Sequence, residues 1–368
     1  MPTSYRGPKR RDVAQRAGVS ETIVSYVLNG RRYVDADKRR RVEEAVKELN
    51  YRPNTLARAM KGKRTRHFVL IADQISNEHF SLLYSEMEEA AYQLGYMISL
   101  CANRNDERFL AELLSRQYDG IIISSLTFAS EYIQRLMDWQ LPLVLLRSRA
   151  YPDYPQVVQI DTGLYEGARL AADYLQRAGA GQLLYLDRVS RQGRFSGADD
   201  LRWMGFCRAL GLDPGAVESR SRMLSGCSDE EELALRLLAE LRQRRAAGQR
   251  LGGIVARNDQ LACTAIQALQ SAGYQVPDEV QVIGFDDARL GRYMRPALSS
   301  VHLDRRGIAQ AAVRALHGQL EGEGASEHCF YFQPELRIRG STKPIATEAG
   351  PEERSNEEPE QKRGGRPC

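Results

Sequence analysis

From His67 onward, short apolar runs alternate with segments of helical period, and few architectures accommodate that order. The runs read FVLIAD, YMISLC, GIIISS, LPLVLL, VVQID, QLLYLD, GGIVAR and VQVIGFD. Amphipathic stretches separate them at 81–94, 165–178, 199–210, 229–245 and 259–272. Strands that alternate with helices build parallel sheets covered by those helices. The units are too many for one comfortable sheet, so two α/β lobes are predicted. No G-x-G-x-x-G follows the first strand and no G-x-x-x-x-G-K-[ST] occurs, which leaves nucleotide-cofactor and NTPase chemistry unsupported. H-E-x-x-H, G-x-S-x-G and paired acid/base motifs are also missing, and the five histidines lack metal-like spacing, so neither an enzyme nor a cofactor is expected.

At 368 residues the chain has room for two or three domains. Its composition, 42% apolar and 27% charged, is that of a soluble globular protein. No apolar run approaches the ~18 residues a membrane span needs. Met1–Lys9 has no apolar stretch behind its charges, so no secretory signal is expected. Cys101, Cys207, Cys227, Cys263, Cys329 and Cys368 form no C-x-x-C pair. That spacing argues against a disulfide framework or zinc ribbon and for a reduced, cytoplasmic setting. Residues 343–368 are polar, with Pro and Gly and little to bury, and are predicted to be a disordered tail.

Charge is unevenly spread. Met1–Arg66 holds 18 Lys+Arg against 7 Asp+Glu, whereas the rest of the chain is mildly acidic. A basic head on an acidic body points to a polyanionic partner. The head is also patterned to fold. Arg11–Ala17 places Val13, Ala14 and Ala17 on one face, Gly18 ends that helix, and Ser20 caps the next. In the second helix, 21–29, Ile23, Val24, Val27 and Leu28 fall on one side, while Thr22, Ser25, Tyr26 and Asn29 fall on the other. Asp35 caps a third helix whose apolar period runs through Val42, Ala45, Val46 and Leu49. Two helices joined by a tight glycine turn, the second presenting hydrogen-bonding side chains outward, describe a helix-turn-helix suited to a major groove.

The segment RDVAQRAGVSETIVSYVLNGRRYVDADKRRRVEEAVKELNYRPNTLARAMKGKRT closely resembles the DNA-binding region of the LacI/GalR family of bacterial transcriptional regulators. Its DVA-x-x-AGVS, VLNG and LNYRPN blocks match in order and spacing. The resemblance implies that Ser20, Glu21, Thr22, Ser25, Tyr26 and Asn29 meet the operator. Glu21 has two readings: acceptor from a cytosine amine, or an acid favoured at a helix start. Tyr26 replaces the arginine common in the family, so a bidentate guanine contact is lost there. Ile23 replaces the usual threonine on the buried side. Lys9, Arg10, Arg31, Arg32, Lys38 and Arg39 are assigned to phosphates. After Pro53, Asn54 caps a helix of about eight residues, too short to persist alone in water. In the family this is the hinge helix, which pairs with its twin and wedges an apolar side chain into the minor groove. Met60 takes the wedge position usually held by leucine, Ala57 allows close helix approach, and Arg58 and Lys61 reach phosphates.

The resemblance continues to about Thr342 and implies a periplasmic-binding-protein-like effector domain of two lobes joined by three crossing strands. It divides the chain into a helix-turn-helix domain at 1–53, a hinge at 54–66 and an effector-binding and dimerisation domain at 67–342. Lobe one is expected at 67–162 and 297–328, lobe two at 163–296 and 329–342. Ligands of such folds sit at the carboxyl ends of strands. RWMGF matches the family's R-x-x-GF and marks Arg202 as the cleft arginine. ARNDQLA places Asn258 beside the cleft with Asp259 as a helix cap, and VIGFDD places Asp286 at a strand end with Asp287 as a turn former. In ISNEHFSLL, His79 and Phe80 face the ligand; Ser124, Ser125 and Arg147 follow strand-like runs. The expectation is a ligand-responsive repressor on a pseudo-palindromic operator, with a sugar as effector and a nucleoside as the other reading. The tail lacks the leucine heptad through which some members tetramerise, so a homodimer is expected. A solute-binding protein is the competing class, opposed by the basic head.

Overall fold

The computed structural model describes residues 8–29, 32–51, 64–152, 154, 156–187, 197–220, 222–224, 226–227, 229–322 and 329–345. The chain forms two compact units, 1–65 and 66–368.

The first unit is three helices: α1 (Arg10–Ala17), α2 (Glu21–Asn29) and α3 (Ala36–Glu48). Gly18 ends α1 in the left-handed region at φ +64°, where a side chain is strained. The Ser20 hydroxyl accepts from Ile23 N at 3.4 Å, and Asp35 caps α3 by accepting from Asp37 N and Lys38 N at 3.1 and 3.3 Å. Val13, Ala14, Ala17, Val24, Val27, Val42 and Ala45 are buried together, and Val34 and Tyr51 close the same core from outside the helices. Ile23, Leu28, Val46 and Leu49 lie only partly inside it.

The second unit contains two six-stranded sheets. The first runs β11-β5-β4-β3-β1-β2, all parallel, with β1 His67–Ala72, β2 Met97–Ala102, β3 Gly120–Ser124, β4 Leu143–Leu146, β5 Val158–Asp161 and β11 Cys329–Tyr331. The second runs β12-β10-β9-β8-β6-β7, with β6 Gln182–Leu186, β7 Met223–Leu224, β8 Leu251–Ala256, β9 Gln281–Phe285, β10 Ser299–His302 and β12 Glu335–Arg337; only β12 is antiparallel. Interior strands such as β4 and β9 are buried at every residue, because helices cover both faces. Among the described residues no helix is long and apolar enough to cross a membrane.

The chain passes between the sheets three times. It leaves the first after β5, returns after β10 through helix Arg305–Glu321, and leaves again between β11 and β12. Two expected lobe boundaries need correcting. Ser299–Val301 belongs to the second sheet, in register with Ile283–Phe285, and Cys329–Tyr331 belongs to the first, in register with Gln159–Asp161. Each strand goes to the open sheet edge whose hydrogen bonds it completes, and an apolar run alone does not say which edge that is. The tail also begins later than expected. Lys343 N donates to Gln281 Oε1 at 2.8 Å, and Tyr174 donates to Lys343 O at 3.0 Å. The remaining tail, 346–368, lies outside the described residues.

Candidate functional site

At the end of β9 two consecutive aspartates adopt positive φ, Asp286 at 94° and Asp287 at 49°. Asp286 is 3% exposed. Its Oδ1 lies 3.4 Å from Arg202 Nη2 and 3.4 Å from His79 Nδ1, and Arg305 donates to its carbonyl oxygen. Arg202 stands at the start of helix Leu201–Ala209, whose N-cap is Asp200, and its guanidinium lies over the Phe285 ring at 4.6 Å. His79 comes from the other lobe, in the first turn of helix Glu78–Gln93, where Asn77 accepts its backbone N–H at 2.8 Å. Burial lowers the His79 pKa and Arg202 and Arg305 lower it further, against the pull of Asp286. The imidazole is therefore neutral near pH 7. Phe80 is half-buried, with its ring edge-on to His79 at 5.2 Å.

Asp287, expected only to form the turn, is an ion-pair hub. Arg339 and Arg292 reach its carboxylate at 2.6 and 2.9 Å, and His302 lies at 3.3 Å. Nor does Asp259 cap its helix. Asn258 does, in extended conformation, with its side-chain oxygen accepting from Leu261 N at 2.9 Å. Asp259 instead accepts from Ser300 Oγ at 2.6 Å and Ala288 N at 2.5 Å. Its pKa is well above the usual range because it is buried, with Asp286 and Asp287 adding to the effect.

Among the described residues, backbone hydrogen bonds also join the lobes. Segment 148–150 bridges to 199–201, with Leu201 N donating to Ser148 O at 3.2 Å and Ala150 N to Asp199 O at 2.8 Å. Elsewhere Arg289 N donates to Glu78 Oε1 at 3.1 Å. At the carboxyl edge of the first sheet, Ser124 ends β3 half-buried, and Arg147, following β4, lies 3.5 Å from Asp161 at the end of β5. Ser125 is buried and donates its hydroxyl to Asp73, as does Thr127.

In the head, Ser20, Glu21 and Thr22 are exposed at the start of α2, and Ser25 is half-buried. Tyr26, read from the sequence as fully outward, packs against the head's core with Arg32 over its ring at 5.4 Å. Lys9 and Lys38 are exposed, and Arg10 is half-buried. Asn29 closes α2, its side chain outside the description; Asn54, Ala57, Arg58 and Met60 lie outside the described residues.

Residues 11–54 match the family described as "Bacterial regulatory proteins, lacI family", and residues 172–342 match "Periplasmic binding protein-like domain". The chain is 30% identical over 345 residues to the HTH-type transcriptional repressor PurR of Mannheimia succiniciproducens, spanning 91% of this chain and 99% of that one. The chain belongs to the LacI/GalR family of bacterial transcriptional regulators. Two solved structures share the fold. The Lac repressor dimer bound to operator and the anti-inducer ONPF has a TM-score of 0.75 at 24% identity, covering 92% of this chain and 100% of that one. The transcriptional regulator CelR–cellobiose complex has a TM-score of 0.64 at 22% identity, covering 91% and 99%.

As a LacI/GalR member the protein is a ligand-responsive transcriptional repressor, and charged residues that the sequence motifs did not mark flank the contact between segments 148–150 and 199–201. Arg257, immediately before Asn258, pairs with Asp200 at 2.6 Å and approaches Asp187 at 3.6 Å. Arg149 pairs with Asp199 at 3.5 Å and lies over Tyr151 at 4.4 Å. Both follow strand-like runs, LVLL and GIVA, and that position was the available signal. Burial raises the Asp200 pKa, but Arg257 more than offsets it; Asp287 is likewise raised by burial and pulled below its usual value by Arg339 and Arg292. For a depressed carboxylate, the stabilisation is complete above the unfolded pKa, near 4, and is lost as pH falls through the folded one. The share of the urea midpoint due to these two carboxylates should therefore be constant above about pH 5 and shrink below about pH 4. Asp287→Asn should make that fall shallower; an unchanged profile would count against the hub.

Proposed function

We propose that this regulator binds a pseudo-palindromic operator as a homodimer, one head per half-site, and that a small polyhydroxylated effector in the cleft between its lobes sets the affinity. The observation that supports the cleft reading is the convergence of Arg202 and Asp286 from one lobe and His79 from the other at a strand's carboxyl end. A guanidinium and a carboxylate side by side offer donors and acceptors to vicinal hydroxyls. The cellobiose bound by the CelR relative agrees with a sugar. A nucleoside is the second reading, favoured by Phe80, whose ring beside His79 offers a stacking surface. Effector binding shifts the lobe arrangement, and that shift sets the affinity of the head for operator. The coupling is reciprocal: operator alters effector affinity by the same factor.

The deciding experiment is a thermal-shift panel of sugars and nucleosides on the full chain, followed by gel shifts with and without each hit. A cleft ligand raises the melting temperature by mass action and changes operator affinity. No hit in either class, with operator binding intact, would reject the cleft reading.

On the head, Lys38→Ala is expected to weaken all operator sequences alike and lower the salt slope by about one unit. Tyr26→Ala is expected to change sequence preference, and Tyr26→Phe, which keeps the ring under Arg32, separates hydroxyl readout from packing. Binding-site selection checks this; identical preferred sites for native protein and Tyr26→Ala would exclude Tyr26 from readout.

A further inference from the structure

Asp286 holds a backbone angle that its residue type disfavours. Asp287, at φ 49°, lies in the left-handed region that aspartate tolerates, but Asp286, at φ 94°, lies well beyond it. Such an angle persists only where the surroundings over-determine it. Here three successive backbone donors are tied down. Asp286 N donates to Val301 O at 2.8 Å, Asp287 N to Ser300 Oγ at 3.0 Å, and Ala288 N to Asp259 Oδ2 at 2.5 Å. Ser300 in turn donates its hydroxyl to Asp259 Oδ1 at 2.6 Å. Asp259 therefore holds Ala288 directly and Asp287 through Ser300.

An acid in the first turn of a helix is ordinarily favoured by the helix dipole alone. Asp259 does more. It is 2% exposed, and its carboxylate lies against the turn in space that Gly284 leaves open, where a Cβ would come within 2.2 Å of Asp259 Oδ1. The turn it braces carries the carboxylate that meets both lobes, with Arg202 and His79 each 3.4 Å from Asp286 Oδ1. Relaxing Asp286 to an ordinary negative φ would swing that carboxylate away from both.

We propose that Asp259 is a positioning residue for effector binding, clamping the 286–288 turn through Ala288 N and Ser300 so that the Asp286 carboxylate faces the cleft. This rests on the effector reading above and adds to it a residue that does not touch the ligand. One arm of the test needs no ligand. Glycine adopts positive φ without strain and alanine does not, so Asp286→Gly should have a higher urea midpoint than Asp286→Ala, the reverse of their usual order. Both lose the carboxylate alike, so the gap reports the backbone. With Asp259→Ala added the turn can relax, and the gap should close or reverse. Asp259→Asn keeps an oxygen for Ala288 N and an amide donor for Ser300, and should preserve it. An equal gap with and without Asp259→Ala would overturn the clamp.

The other arm titrates full-length protein with glucose, ribose, cellobiose and adenosine, read by melting temperature and by operator gel shift. Asp259→Ala is expected to bind whichever ligand acts at least about tenfold more weakly, the scale of one lost hydrogen bond to a charged group, and Asp259→Asn to stay within about threefold of native. Should Asp259→Ala fail to fold, Ser300→Ala replaces it in both arms, with a loss of roughly fivefold in affinity. Native affinity in the alanine variant, or an equal loss in Asp259→Asn, would overturn the positioning role. Silence from every ligand with operator binding intact would reject the effector reading itself, and the urea gap would still decide whether Asp259 holds the turn.

Discussion

Arg202→Ala is expected to abolish the response of operator binding to effector while the head still grips DNA. The head carries its own core of Val13, Val24, Val42 and their neighbours, and that core does not involve Arg202. In the cleft, Arg202 is fixed from two sides, by the Asp200-capped start of its helix and by the Phe285 ring at 4.6 Å. Its fork is therefore aimed before any ligand arrives, and little ordering is left to oppose binding. Hydrogen bonds to a charged group contribute about 1.5–3 kcal/mol each, so losing one weakens effector binding by roughly 10- to 150-fold and losing two by more. Folding should suffer less. Removing one partner of a buried pair can cost about 3–5 kcal/mol, but the pair here is long, at 3.4 Å, and Arg305 and His79 remain beside Asp286. Arg202→Lys keeps the charge without the planar fork and should restore only part of the response. Titrating effector against a fixed operator complex gives the test: a normal response from Arg202→Ala would remove Arg202 from the site.

The fold was legible wherever periodicity decides it. Helices at 164–177, 230–246 and 259–271 fall within a residue or two of their amphipathic stretches, and Ser20 and Asp35 cap the helices they were expected to cap. The destination of a strand was not legible. Ser299–His302 and Cys329–Tyr331 are short runs without alternation, and their sheet depends on which edge stands open after the rest has folded. The convergence of Arg202, Asp286 and His79 followed from the family motifs carried by the first two and from the loop that carries the third. Asp287 and Arg257 did not stand out, because their roles come from partners far along the chain, Arg339 for one and Asp200 for the other. Asn258 rather than Asp259 caps its helix for a local reason. Either residue type caps a helix, and only the backbone angle at Asn258, φ −151°, decides which of the two stands outside the first turn.

Gly205→Ala should produce the larger loss, because it weakens the fold and removes the response together. Gly205 lies in the middle of helix Leu201–Ala209, where that helix crosses helix Leu164–Arg177. A Cβ at Gly205 would lie 2.0 Å from Tyr165 O and 3.2 Å from Arg169 N. Both are backbone atoms of a buried helix, so no rotamer change relieves the clash and the two helices must separate. Overpacking of a closed core costs about 1–3 kcal/mol and more where the backbone must move, which places this substitution at about 3 kcal/mol. Trp203 and Phe206, both fully buried on the same helix and stacked with ring centroids 5.7 Å apart, would lose packing as it shifts. Arg202 sits one turn earlier, so the same movement draws its guanidinium away from Asp286. Urea denaturation should show a lowered midpoint with an unchanged slope, and effector should no longer raise the melting temperature. An unfolding free energy within about 0.5 kcal/mol of native, the range of an innocuous surface change, would mean that the two helices do not approach as closely as the Gly205–Tyr165 geometry requires.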